Sequence, residues 1–319
     1  MEIHKDISTS MHVDLLIIGG SAAASAGAVY AARREVNVTI IAQDWGGEVA
    51  SSGQIGNYPG FIETNGIELA DTFRKQVEAN NIPIELGVKV TQIVKNGEGD
   101  FQIKAKKDGG DVEYSAKAVL VTTGVHPREL NADGEKNLRQ KGVTYCTTCD
   151  GPLYRGKTVA TIGGGNSALE SALMLKEICP KVYLLTINSE LMGETIYITK
   201  LKQAQNVEII YNASTKKFIG TDRLEAIEYD DAKTKKVTKI EVQGAFVHIG
   251  LVPNSAFLPK EIKKNKLGEV VVNKVGETSV SGIFSAGDVT DTPFKQIAIA
   301  TGQGVSAVLR AIQYLDSLS

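Results

Sequence analysis

The patterned part of the chain begins with Val13-Asp14-Leu15-Leu16-Ile17-Ile18, an apolar run of strand length. Gly19-Gly20-Ser21-Ala22-Ala23-Ala24 follows, then a helical stretch of small residues reaching Arg34, then a second apolar run, Val38-Thr39-Ile40-Ile41. The same pattern returns as Thr158-Val159-Ala160-Thr161-Ile162, Gly163-Gly164-Gly165-Asn166-Ser167-Ala168, a helical stretch to Glu177, and Val182-Tyr183-Leu184-Leu185. Gly19 and Gly163 stand 144 positions apart, and so do Val38 and Val182. Strand, tight turn, packed helix and strand at one fixed spacing predict two Rossmann-like dinucleotide-binding units in an α/β chain.

Between the copies, helical periodicity covers Ile62 to Asn80. Val88 to Val94, Phe101 to Ala105 and Ala116 to Val121 read as strands, with turn signals at Asn96-Gly97 and Asp108-Gly109-Gly110. After the second copy, Leu224 to Tyr229, Lys236 to Val242 and Ala245 to His248 read as a strand meander. Gln296 to Leu315 reads as an amphipathic helix.

The glycine turns carry candidate chemistry. A helix N-terminus offers free N–H groups and a positive dipole end to a pyrophosphate. The first glycine makes the turn, the second lets the ligand approach the backbone, and the third position must be small. The second copy meets this with Gly163, Gly165 and Ala168, with Asn166 and Ser167 beside them. That turn is either a nucleotide site or architecture alone. In the first copy Gly19 and Gly20 lead into Ser21, Ala22 and Ala23, with Ala24 at the third position. Ser21 stands where glycine is expected. Its side chain either crowds the pyrophosphate path or hydrogen-bonds the phosphate.

The chain has 319 residues and a net charge of -2, enough for two domains and without a single-sign patch for nucleic acid or a membrane surface. Leu15 to Ala32 carries no charge over 18 residues, the length of a membrane helix. It divides into an aliphatic half and a Gly/Ala/Ser half, which suits a strand and a packed helix better. Acidic Glu2, Asp6 and Asp14 precede it, against a secretory signal. Met1 to Met11 reads as a polar, frayed tail.

Cys146-Thr147-Thr148-Cys149-Asp150 lies just before the second glycine copy. At a helix start this spacing brings two sulfurs within bonding range and lowers a thiol pKa. Beside β-α-β patterning it predicts intracellular redox chemistry, hence a cytoplasmic protein. The plainer reading is two buried structural thiols. No metal site is expected, because only Cys179 and four scattered histidines remain as ligands. Asp150 is either a proton donor and acceptor for the thiols or simply the first residue of an Asp-Gly-Pro turn. Cys179, before Pro180, reads as a packed thiol.

Together these stretches resemble the low-molecular-weight, FAD-dependent thioredoxin reductase family, and more closely the reductase core of the alkyl hydroperoxide reductase flavoprotein. The resemblance is carried by Trp45-Gly46-Gly47-Glu48, Asn57-Tyr58-Pro59-Gly60, Thr122-Thr123-Gly124 and Gly142 through Leu153. It continues in Gly163 to Ser167, Ile249 to Asn254, Ala286-Gly287-Asp288-Val289 and Pro293-Phe294-Lys295-Gln296-Ile297. It implies three-layer ββα units with a discontinuous FAD domain, residues 1–121 and 250–319, around an inserted NAD(P)-type domain, 122–249, that carries the cysteines. FAD would lie on the first glycine turn. Gln43, Gly46, Gly47, Glu48 and Asn57 would border it, as would Thr123, Gly124 and Gly287. Asp288 would lie near the ribityl and phosphate region, and Lys295, Gln296 and Ile297 near the isoalloxazine. Cys149 would face the flavin, Cys146 would attack the protein substrate, and Asp150 would act as acid-base. The inserted domain would rotate on connections near Thr122–Gly124 and His248–Gly250. Family members are often homodimers, and the implied partner is a thioredoxin- or glutaredoxin-like protein.

The electron donor is a separate question. An acid at the end of the second strand of a Rossmann unit suits NADH, and basic residues there suit NADPH. Here the run is Leu185-Thr186-Ile187-Asn188-Ser189-Glu190. The basic clamp for NADPH is missing, and Glu190 comes several residues late. NADH, reduced ferredoxin or another donor therefore comes ahead of NADPH. The alternatives to a thioredoxin-reducing enzyme are the reductase component of a peroxidase system and a flavin-binding redox sensor that does not turn over pyridine nucleotide.

Overall fold

The computed structural model describes residues 11–318 except Gly53 and Lys233. The expected polar tail, through residue 10, lies outside the described residues; Met11 opens the first strand. Two compact units result. One gathers the described residues of Met1–Ser51, Ile55–His126 and Val252–Ser319; the other gathers Ser52–Gln54 and Pro127–Leu251. Apart from the short excursion at Ser52–Gln54, the chain passes between them at His126/Pro127 and Leu251/Val252.

In the first unit, parallel strands run in the order Ile84–Glu85, Val38–Ile41, Met11–Ile18 and Gly110–Val121. The long strand Gly110–Val121 divides its far edge. Its first part pairs antiparallel with Asp100–Lys107, which pairs with Val88–Gly97. Its end pairs parallel with Ile283–Ser285. Alternation along Met11–Ile18 then feeds two cores. Leu15 and Ile17 pack with the helices Ala22–Ala32, Gly66–Ala79 and Ile297–Asp316. Leu16 and Ile18 pack with Phe101 and Ile103 on the other face. This gives the three layers. The helix Ile297–Asp316 crosses Ala22–Ala32 closely, because Gly304 presses on the backbone of Ala23: a Cβ at Gly304 would overlap the Ala23 carbonyl oxygen.

In the second unit, parallel strands run Val143–Thr144, Gly244–Val247, Thr158–Ile162, Lys181–Leu185 and Val207–Ile210. The helices Asn166–Leu175 and Thr195–Gln203 pack beside them through Leu169, Leu175 and Leu201. The meander is Ala213–Ile219, Ala226–Asp231 and Lys236–Glu241. This differs from the sequence reading at both ends. Ala213–Ile219 joins it, and Gly244–Val247 leaves it for an interior place in the parallel sheet, between Val143–Thr144 and Thr158–Ile162. There every residue of Gly244–Val247 is buried. The Asn96-Gly97 signal is displaced as well: the strand runs through Gly97, and the turn is Glu98-Gly99. Among the described residues no helix is long and apolar enough to cross a membrane.

Candidate functional site

The first glycine turn is shaped by its backbone. Gly19 adopts φ +123°, and a Cβ there would overlap the Thr122 carbonyl. Its N–H donates to Ile41 O at 2.9 Å, and Thr122 Oγ1 donates to Ile18 O at 3.0 Å. Gly20 O accepts from Gly46 N at 2.6 Å. Ser21 resolves its two readings in neither direction: its hydroxyl donates to Gly46 O at 2.7 Å. The departure from glycine therefore pins the loop before Gly46 and Gly47 and does not block the turn. Ala22 and Ala23 are buried at the start of an eleven-residue helix whose N-terminus has no side-chain cap among the described residues. Its first N–H groups are left for a ligand. Gln43 is exposed just past the strand Val38–Ile41, and Glu48 accepts from Ser51 Oγ at 3.0 Å.

Asp288 supplies the clearest mark of a cofactor. Its Oδ1 is sealed from solvent with no hydrogen-bond partner among the described residues. Burial pushes its pKa up to about 6, with Lys295 pulling it down and Glu48 adding to the rise. Lys295 is itself engaged, donating to Thr290 O at 2.6 Å and pairing with Glu269 at 2.8 Å. Gly287, at φ +77°, donates its N–H to Gln303 Oε1 at 3.0 Å. Gln296 stands at the N-cap of the helix that opens with Ile297, and its Oε1 accepts from Asn57 Nδ2 at 3.4 Å. Thr123 and Gly124 are pinned to Asn254: Thr123 Oγ1 donates to Asn254 O, and Asn254 donates from Nδ2 to Thr123 O and from N to Gly124 O. A glycine turn, an uncapped helix start and an orphaned buried carboxylate fit a group with phosphates and hydroxyls. FAD has both.

The second turn repeats the first in detail. Gly163 adopts φ +144° and donates to Leu185 O at 2.9 Å, and a Cβ there would overlap the His248 carbonyl. Gly164 O accepts from Met192 N at 2.8 Å. A Cβ on Gly165 would meet open space. Asn166, at the first helical position, is tied to Glu194: its Oδ1 accepts from Glu194 N at 2.7 Å and its Nδ2 donates to Glu194 Oε1 at 3.3 Å. Ser167 is exposed. At the strand end Thr186 is buried, Ile187 is 66% exposed, and Asn188 N donates to Thr186 Oγ1.

Cys146 and Cys149 are joined by a disulfide, with their Cα atoms 5.3 Å apart. Cys146 is the N-cap of the helix Thr147–Asp150, and its Sγ accepts from Cys149 N at 3.2 Å. Asp150 closes that helix, and its carboxylate accepts from Thr144 Oγ1. Tyr145, just before the pair, is fixed by its hydroxyl, which donates to buried Glu135 at 2.8 Å. Cys179 is buried, with its thiol against Tyr154 O at 3.2 Å, and burial raises its pKa. Among the described residues no three His, Cys, Asp or Glu converge as for a metal ion.

Sequence reasoning passed over the side chains behind the cysteines. Thr147, between them, is buried, and its hydroxyl meets Ser171 Oγ at 2.6 Å and His248 Nε2 at 2.7 Å. Burial lowers the His248 pKa to about 4. A buried hydroxyl inside the cysteine motif was the available signal.

The comparisons with known proteins agree with this geometry. The model of the pyridine nucleotide-disulphide oxidoreductase family matches residues 13–304. The chain is 38% identical over 302 residues to the F subunit of the alkyl hydroperoxide reductase of Staphylococcus aureus (strain Mu50 / ATCC 700699), covering 95% of this chain and 59% of that protein. It is equally 38% identical over 302 residues to a protein of Ferdinandcohnia aciditolerans named NADH dehydrogenase, covering 95% and 57%. The chain thus spans less than two thirds of the length of these curated relatives. A thioredoxin reductase from Streptococcus pyogenes MGAS5005 superposes with a TM-score of 0.86 at 29% identity, over 97% of this chain and all of that one. The repeated turns, the disulfide and these likenesses converge: the chain belongs to the FAD-binding pyridine nucleotide-disulphide oxidoreductase family.

Proposed function

We propose that the protein is a disulfide reductase that takes two electrons from NADH and passes them through FAD and Cys146–Cys149 to a thioredoxin- or glutaredoxin-like protein. The observation that carries the reading is the disulfide at the head of a short helix, with the Asp150 carboxylate one residue beyond Cys149. FAD, held by the first unit, supplies the two-electron carrier between donor and disulfide. Two electrons and two protons convert Cys146–Cys149 to a dithiol as NADH becomes NAD+. The Cys146 thiolate then attacks the partner disulfide. The partner sulfur it displaces leaves as thiolate and takes the proton that Asp150 accepted when the Cys146 thiol ionised. The Cys149 thiol next gives up its proton and attacks Cys146 Sγ, and the second partner sulfur leaves as thiolate and takes up that proton as the disulfide re-forms. The Cys149 N–H on Cys146 Sγ supports Cys146 as the attacking thiolate. NADH is favoured over NADPH because neither Ile187 nor Asn188 offers a cation to a 2′-phosphate.

A Cys149→Ser variant tests the reading. It should bind FAD and still show flavin bleaching by NADH, while reduction of thioredoxin or glutaredoxin falls below about one thousandth of the unsubstituted rate. Turnover that survives the substitution would sink the assignment. The likeness to an alkyl hydroperoxide reductase component supports a second reading, the reductase component of a peroxidase system. Peroxide consumption by a peroxiredoxin, dependent on this protein and on an added thioredoxin-like domain, distinguishes it from general thioredoxin reduction.

A further inference from the structure

A hydroxyl and an imidazole meet the side chain of Thr147, which follows Cys146, and a second hydroxyl backs the first. Thr147 Oγ1 lies 2.7 Å from His248 Nε2 and 2.6 Å from Ser171 Oγ, and Ser171 Oγ lies 3.1 Å from Thr161 Oγ1. Thr147, Ser171 and Thr161 are all buried. His248 immediately follows the strand Gly244–Val247, Ser171 sits in the helix Asn166–Leu175, and Thr161 lies in the strand Thr158–Ile162. Thus His248 and the helix residue Ser171 hold one side chain of a four-residue helix, and Thr161 in turn holds Ser171. So short a helix does not hold its own shape, since fixing the first turn costs more than its few hydrogen bonds return.

What that turn delivers is a contact to sulfur. Cys149 N reaches Cys146 Sγ at 3.2 Å, and Asp150 N reaches Cys146 O at 3.0 Å. Both depend on the backbone of Thr147 keeping its place. We infer that His248, with Ser171, is a positioning residue for the redox pair: through Thr147 it keeps the Cys149 N–H on Cys146 Sγ. The inference rests on the reductase reading above. Burial keeps the His248 ring neutral at neutral pH, so one ring nitrogen donates and the other accepts. The Thr147 hydroxyl has one proton, so it donates to one neighbour and accepts from the other. The charged group beside the pair is Asp150, engaged by Thr144 Oγ1. The same residue is tied to the second glycine turn, because the His248 carbonyl fills the space that a Cβ on Gly163 would need.

The test uses the full-length protein with FAD, reduced with dithiothreitol. The rate of Cys146 alkylation by iodoacetamide is followed against pH by peptide mass. Thr147→Val keeps the shape and removes the hydroxyl; Thr147→Ser restores it. His248→Leu removes the ring partner; His248→Gln restores a donor and an acceptor. Loss of the N–H contact raises the thiol pKa. The alkylation midpoint should therefore rise by about half a pH unit or more in T147V and H248L, slowing alkylation at neutral pH by about threefold. It should return toward the original value in T147S and H248Q. Circular dichroism and flavin absorbance identify any variant that has not folded, and His248→Ala, which should shift the midpoint as H248L does, takes its place if H248L is lost. Midpoints unchanged in T147V or in H248L, or a shift that T147S or H248Q leaves in place, overturn the inference while leaving the reductase reading intact. A pair that dithiothreitol cannot reduce in the native protein overturns both, and that result shows in the unsubstituted chain.

Discussion

Asp288 holds one carboxylate oxygen in a sealed position with no partner among the described residues, and its pKa is raised from 3.8 to about 6. A buried carboxylate without donors prefers its proton. The sign for the protein without cofactor follows. The folded state binds more protons than the unfolded one between those values, so the stability Asp288 contributes is present at low pH and is lost as pH rises through 6. Hydroxyl donors from a bound cofactor reverse the preference, because they favour the carboxylate. FAD binding should therefore release a proton below pH 6, and affinity should fall toward acid by up to about tenfold per pH unit. Fluorescence titration of FAD into the apoprotein between pH 5 and 8 reads this directly. An Asp288→Leu variant should bind at least about tenfold more weakly at neutral pH and lose the acid slope. An unchanged slope would remove Asp288 from the cofactor site.

At the scale of elements, the first unit depends on the crossing of Ala22–Ala32 with Ile297–Asp316. Gly304 lets the second helix press on the backbone of Ala23, and Gly27 faces the Gly304 carbonyl. Gly304→Ala pushes the helices apart at the residues that head the FAD turn. The expected cost is about 1–3 kcal/mol or more, seen as a lower melting temperature together with weaker FAD retention on gel filtration. A variant with both properties unchanged would show that the crossing yields freely. The sequence made such elements legible where the backbone leaves no choice. Gly19 and Gly163 must be glycine because a neighbouring carbonyl fills the space of their Cβ, so the two turns were visible as repeats. The meander was less legible. Gly244–Val247 follows Lys236–Glu241 after a two-residue bend and was read as its continuation, although an apolar run with every residue buried is the mark of an interior parallel strand. Ala213–Ile219 was missed because a register shift between Thr215 and Lys217 breaks its alternation. The cysteine pair was plain, but its support was not. Thr147, Ser171 and His248 lie far apart in sequence and meet only once the parallel sheet has formed.

The whole molecule uses one structural idea twice, and the two copies differ where a ligand would be chosen. In the first, Ser21 is turned back on Gly46 and Asp288 waits with an unsatisfied oxygen. In the second, Asn166 is tied to Glu194, and the strand end presents Thr186, Ile187 and Asn188 without a cation. If NADH lies on the second copy with its ribose at that strand end, NADPH is refused because its 2′-phosphate loses water and gains no partner. The preference should then be transferable. Thr186 must stay, since it is buried and packs on Gly164. Ile187 is two-thirds exposed, and Asn188 donates its side-chain amide to Met192 Sδ at 3.4 Å, a weak contact. An Ile187→Arg, Asn188→Arg double variant therefore adds two cations at little cost to folding. A charge-assisted hydrogen bond is worth about 1.5–3 kcal/mol, so the concentration of NADPH needed for half-maximal flavin bleaching should fall by about tenfold or more. The gain should shrink as salt screens the new charges. NADH should bleach the flavin of the double variant much as before. A double variant that still answers NADH and ignores NADPH would mean that the donor approaches the flavin without using the strand end. Bleaching of the unsubstituted protein by reduced ferredoxin but not by NADH would leave the second turn as architecture alone.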